Sequence, residues 1–189
     1  MTAPHGRDTE GRPGGGSAGR IAVAVLLGGA ALAGAGLFYL EQFHWYDLRE
    51  AGQGTVTLAG PDGASVPIAV RDLAVAEGDA SPLKYRACFA TDATPAALAG
   101  RLAPYADPEP TVAPLSFPCF DADAIAAALE EGRATAFLAA EEVTYGIDRV
   151  VALTQDGRGY AWHQLNVCGE RVYDGDPPPP GCPPPPARP

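Results

Sequence analysis

Residues 21–40 read IAVAVLLGGAALAGAGLFYL, twenty positions without a charge, and Arg20 stands directly in front of them. At a rise of about 1.5 Å per residue the run makes a helix of roughly 30 Å, about the thickness of a bilayer's hydrocarbon core. It has no polar face, so a helix buried in a soluble core does not account for it. The run divides the chain into a disordered tail (1–20), a transmembrane helix (21–40), a juxtamembrane connector (41–54), an α+β domain (55–176) and a proline-rich tail (177–189).

The flanks suggest an orientation. Arg7, Arg12 and Arg20 precede the run against Asp8 and Glu10, whereas Glu41 and Asp47 follow it before Arg49. Basic residues near a span stay cytoplasmic, which predicts the N-terminus inside and the rest outside, in the periplasm if the membrane is a bacterial inner membrane. Tyr39, Phe43, Trp45 and Tyr46 gather at the exit, where amphipathic rings suit the headgroup layer. A cleaved signal peptide would export the same domain, with its apolar region at 21–32, but Leu37, Phe38 and Leu40 extend the run past the usual length. Gly29 and Ala33, like Ala30 and Gly34, are small residues four apart, a spacing that admits a homodimer although so Gly- and Ala-rich a run produces it by chance.

The part from Glu41 onward carries ten Lys/Arg and twenty-one Asp/Glu, a net charge of −11. Such a surface is repelled by nucleic acid, which excludes that class of partner. Cys88, Cys119, Cys168 and Cys182 all lie on the exported side. An even count in an oxidising compartment reads as two disulfides, with three pairings possible. Cys88–Cys119 and Cys168–Cys182 are favoured, because each joins a predicted strand to the nearest following loop. A bridge closing about 15 residues contributes about 3 kcal/mol by the chain-entropy argument. Zinc competes poorly, since no C-x-x-C occurs and His44 and His163 stand apart. Neither a metal nor a cofactor is expected, and the lack of C-x-x-C-H excludes covalent c-type haem.

Strands are predicted over 55–58, 66–70, 83–90, 135–139, 149–154 and 160–165. Gly60-Pro61-Asp62-Gly63 and Asp156-Gly157 supply hairpin turns. Thr94-Pro95 starts a helix running to about Leu102, and Asp121 caps a second that ends at Gly132. Between the helices, residues 104–118 hold five prolines and read as an irregular loop. Strands, two helices and strands again argue an α+β domain, a mostly antiparallel sheet with two helices on one face.

Few residues point to chemistry. Ser81-Pro82-Leu83-Lys84 spells S-x-x-K, but it runs into a strand, where residues three apart face opposite ways. Asp121, Asp123, Glu130 and Glu131 read as a helix cap and a solvated face. In Tyr160-Ala161-Trp162-His163-Gln164-Leu165, alternation puts Tyr160, Trp162 and Gln164 on one face and His163 with Leu165 on the other. Leu165 suggests that His163 faces the core, which would leave Tyr160 and Trp162 as exposed aromatics of the kind that anchor interfaces. The competing reading is a pocket in which His163 meets an acid such as Asp148.

Three stretches, residues 81–89, 145–152 and 156–164, resemble an uncharacterised family of alphaproteobacterial single-span, periplasm-facing envelope proteins, a domain of unknown function. The resemblance runs from the span to Gly181-Cys182-Pro183, and the long Gly-rich N-terminal tail departs from it. Members are sometimes labelled histidine kinase. This chain has no room for a kinase module and no nucleotide-binding motif. The expectation is a membrane-anchored binding or scaffolding protein of the cell envelope, held in the bilayer by residues 21–40, with a protein partner and a surface near Tyr160, Trp162, His163 and Asp148. The alternative is a solute-binding or enzymatic domain around His163.

Overall fold

The structure is a computed structural model that describes residues 16–186. Most of the expected N-terminal tail, and the last three residues of the proline-rich one, lie outside these. The chain divides after Tyr39 into two units. The first holds helix α1 (Gly16–Tyr39), which takes in the last residues of the expected tail. Among the described residues there is one stretch long and apolar enough to cross a membrane, Ser17–His44, which ends in a π-helical turn at Leu40–His44.

The second unit is built on six strands: β1 (Asp47–Ala59), β2 (Ser65–Glu77), β3 (Tyr85–Ala90), β4 (Ala134–Thr144), β5 (Ile147–Thr154) and β6 (Arg158–Leu165). Their order is β1-β2-β3-β6-β5-β4, and all five pairs are antiparallel. Two meanders therefore join through β3 and β6. β1 reaches back to Asp47, into the stretch read as a connector, because its whole length pairs with β2. The sheet is open, but β1 and β4 approach each other. Ala103 bridges them: its N–H donates to Ala59 O at 2.8 Å, and its carbonyl accepts from Leu138 N at 3.0 Å.

The helices are short. Thr94 caps α2 (Pro95–Leu98), a single turn rather than the longer helix expected, and Gly100 at φ 74° follows it. α3 (Ala122–Glu130) starts on the Asp121 carboxylate, which accepts from Ala124 N at 3.0 Å. α4 (Val167–Tyr173) was not expected. Asn166 caps it, accepting from Cys168 N and Gly169 N at 3.0 and 3.1 Å.

Both faces of the sheet are buried. The inner face carries Leu58, Ile68, Val70, Ala87, Phe89, Phe137, Val151, Leu153 and Ala161, with Leu98 and Leu102 from the α2 segment. The outer face carries Ala76, Cys88, Ala136, Val150, Ala152 and Trp162, covered by Phe117, Phe120 and Ile125. This corrects the expectation of an exposed Trp162, which has no exposed surface at all. Tyr160 is half-buried. The alternation within β6 is as read; the error lay in taking one face for solvent. The proline-rich segment and α3 form a second layer that no periodicity in β6 announces.

Arg86 holds that layer down. It is 4% exposed, and no carboxylate pairs with it among the described residues. Its guanidinium instead donates to Thr111 O at 2.7 Å, Val112 O at 3.1 Å, Leu83 O at 2.8 Å and Tyr85 O at 2.6 Å. Burial pushes its pKa down to about 10, with Tyr46 opposing, so it stays a cation at neutral pH. The disulfide Cys88–Cys119 ties the same layer to β3, with Cα atoms 6.3 Å apart. Cys168–Cys182 joins α4 to the proline-rich tail.

Two substitutions test this packing. Gly146 and Gly169 touch backbone to backbone, and a Cβ on Gly169 would overlap the Gly146 carbonyl. Gly169→Ala is expected to destabilise the fold by about 1–3 kcal/mol through overpacking. Arg86→Met strands the carbonyls of the covering loop and is expected to cost about 3 kcal/mol. Urea unfolding of the detergent-solubilised chain, followed by near-ultraviolet circular dichroism, measures both. A change smaller than the fitting error in either would remove that contact from the account.

Candidate functional site

His163 sits on the inner face of β6, opposite Arg149 of β5, and is 6% exposed. Its Nδ1 lies 2.6 Å from Pro82 O, a carbonyl that can only accept. Its Nε2 accepts from Arg149 Nε at 2.9 Å. The neutral ring with hydrogen on Nδ1 satisfies both contacts. Tyr85 stacks on the imidazole, with ring centroids 4.5 Å apart, and the Arg149 guanidinium lies 4.2 Å from the Tyr85 ring centre. Burial drives the His163 pKa down to about 4; the Pro82 contact opposes this, while Arg149 and Arg86 add to it. The ring is thus neutral at physiological pH, and both nitrogens are engaged.

Asp148 does not meet it. It pairs with Gln164, one register step from the Arg149–His163 pair, so its side chain points to the opposite face. There its Oδ1 accepts from Glu142 N at 3.0 Å and Asn166 Nδ2 at 2.9 Å, and its Oδ2 accepts from Tyr105 O–H at 3.2 Å. Glu142 in turn accepts from Asn166 Nδ2 and Gly146 N, both at 2.9 Å. Burial raises the Tyr105 pKa, and the Asp148 charge raises it further. This network fixes the irregular end of β4, the turn at Gly146 and the start of α4 on one another. Every acceptor is used structurally.

Gln164 does similar work on the same face. Its Oε1 accepts from Trp162 Nε1 at 3.1 Å and from Glu109 N at 2.8 Å, while its Nε2 donates to Asp107 O at 3.1 Å. The other sequence candidates are also occupied. The Ser81 hydroxyl accepts from Leu83 N at 3.3 Å within a turn, and the Lys84 ammonium lies 5.1 Å from the Trp45 ring centre and 5.2 Å from that of Tyr46. Among the described residues, no three His, Cys, Asp or Glu side chains gather as metal ligands.

A groove of about 890 Å³ lies elsewhere, between α3, the end of β3 and the β5–β6 turn. Its walls are the Cys88–Cys119 bridge, Ala124, Ile125, Ala128 and Tyr160. Asp72, Arg133, Asp156 and Arg158 stand at it with charges of both signs. Asp72 is at φ 52°, in the bulge where β2 shifts register against β3. Of the residues singled out from sequence, the groove brings together Tyr160, Cys88, Cys119 and Asp121; Trp162, His163 and Asp148 do not line it. Arg133 and Arg158 were missed, for each reads as an ordinary exposed charge until the fold sets it beside the groove.

No curated protein and no solved structure matches the chain. A family model does match it, over residues 56–183, from the second half of β1 to just past Cys182. The chain belongs to that family, a family of unknown function (DUF6446).

Proposed function

We propose that this protein is a single-pass component of the bacterial inner membrane whose periplasmic domain binds or scaffolds another envelope protein without catalysing a reaction. The observation that carries the reading is the state of His163: neutral, stacked on Tyr85, bonded at both nitrogens and separated from Asp148 by the sheet itself. A general base needs a free nitrogen aimed at a proton. The periplasmic assignment is supported by Arg20 before the span, Glu41 and Asp47 after it, and two disulfides in the domain.

The partner surface is the groove beside Tyr160. It combines an apolar floor with charges of both signs, which suits a polypeptide segment better than a small anion or cation. A photo-crosslinking residue at Gln155, beside the groove, is expected to give a protein adduct in intact cells, and one at Val167 on α4 is not. Arg158→Glu is expected to weaken the Gln155 adduct. An adduct indifferent to that charge, or equal labelling from both positions, would count against the groove.

The acid sensitivity of the fold tests the structural role of His163. Its folded pKa of about 4 lies below the ordinary 6.5, so the unfolded chain binds the extra proton between those values. Its contribution is therefore present above pH 6.5 and is lost as pH falls toward 4. The loss is on the order of 2 kcal/mol after allowing for solvent screening. Urea stability measured at both ends of this window is expected to differ less in His163→Gln than in the parent. An identical pH dependence would show the ring to be solvated.

A further inference from the structure

The π-helical turn Leu40–His44 is the last part of the stretch that can cross a membrane. Gln42 within it holds the proline-rich segment: its Oε1 accepts from Leu115 N at 2.9 Å, and its backbone carbonyl accepts from Ser116 O–H at 2.8 Å. The other end of that loop is held by Arg86 through Thr111 O and Val112 O. Between these two anchors the loop turns large apolar side chains outward. Val112 is 79% and Leu115 64% exposed, the highest values for large apolar residues outside α1 among those described. Phe43 and Trp45 are also exposed on the adjoining chain. Lys84, the sequence's one lysine, lies over Trp45 and Tyr46.

We infer that the loop tip at Val112 and Leu115 is a second membrane contact, seated at the headgroup and acyl boundary of the same bilayer that the span crosses. Two observations favour lipid over a protein occupant. The loop is bonded to a residue of the apolar stretch's own terminal turn, so it is continuous with the membrane contact the chain already has. Aliphatic side chains, exposed aromatic rings and a snorkelling lysine are the composition of an interfacial surface. A loop fixed at both ends also costs little ordering entropy on insertion.

The inference rests on the span reading, and the test separates the two. The full chain carrying Trp45→Phe is reconstituted in phosphatidylcholine vesicles containing brominated lipid; Trp162 remains as a buried, constant background. Leu115→Trp, or Val112→Trp if the first fails to fold, is expected to lose most of its added fluorescence to bromines near the headgroup end of the acyl chain. Val167→Trp, exposed on α4, is the comparison and is expected to lose little. Leu32→Trp, inside the span, is expected to be quenched by bromines near the methyl end. Quenching of Leu32→Trp with no more quenching of the loop tryptophan than of Val167→Trp would overturn the loop contact alone. An unquenched Leu32→Trp would overturn the span, and the inference with it.

Discussion

A strand that is apolar on both faces must be covered twice, and the domain depends on how the second cover is attached. β6 puts Ala161 into one cluster and Trp162 into the other, so neither side can face water without exposing a core. The inner cluster is enclosed by the approach of β1 and β4 with Ala103 between them. The outer cluster has only a proline-rich segment and one short helix above it. Proline carries no N–H, so such a segment offers mainly carbonyls for bonding. A buried guanidinium is the side chain suited to that supply, since it has five donors in a planar fork. Arg86 meets carbonyls from both the sheet's own approach and the loop, and the neighbouring bridge at Cys88 secures the same layer covalently.

The remaining buried polar groups follow the same economy. His163, Asp148 and Gln164 are all buried, and each is hydrogen-bonded to its neighbours. No buried side-chain nitrogen or oxygen among those described lacks a partner. Here the polar groups pin elements together: Asp148 joins β4, α4 and the Tyr105 segment, Gln164 joins β6 to residues 107–109, and His163 joins β6 to the turn before β3.

The groove and the loop tip are surfaces of different kinds. The groove by α3 mixes charges of both signs over an apolar floor, whereas the loop held by Gln42 presents bare aliphatic side chains beside the end of the span.

Much of this architecture was legible in short-range signals. The uncharged run of residues 21–40, the hydroxyl before Pro95, the Asp121 cap and Asp156-Gly157 each act within a few residues, so composition and spacing alone locate the apolar helix, the helix starts and the hairpin. The alternation of β6 was readable for the same reason. What the opposite face meets was not. Trp162 is covered by residues 117–125, about forty positions away, and Arg86 reaches carbonyls twenty-five and twenty-six residues on. Nor does any local pattern bring Arg133 and Arg158 beside one groove, or Gln42 to Leu115. Backbone torsions and side-chain periodicity are properties of neighbours in the chain, and they settled the elements; burial and binding surfaces are properties of neighbours in space, which only the packed layers decide.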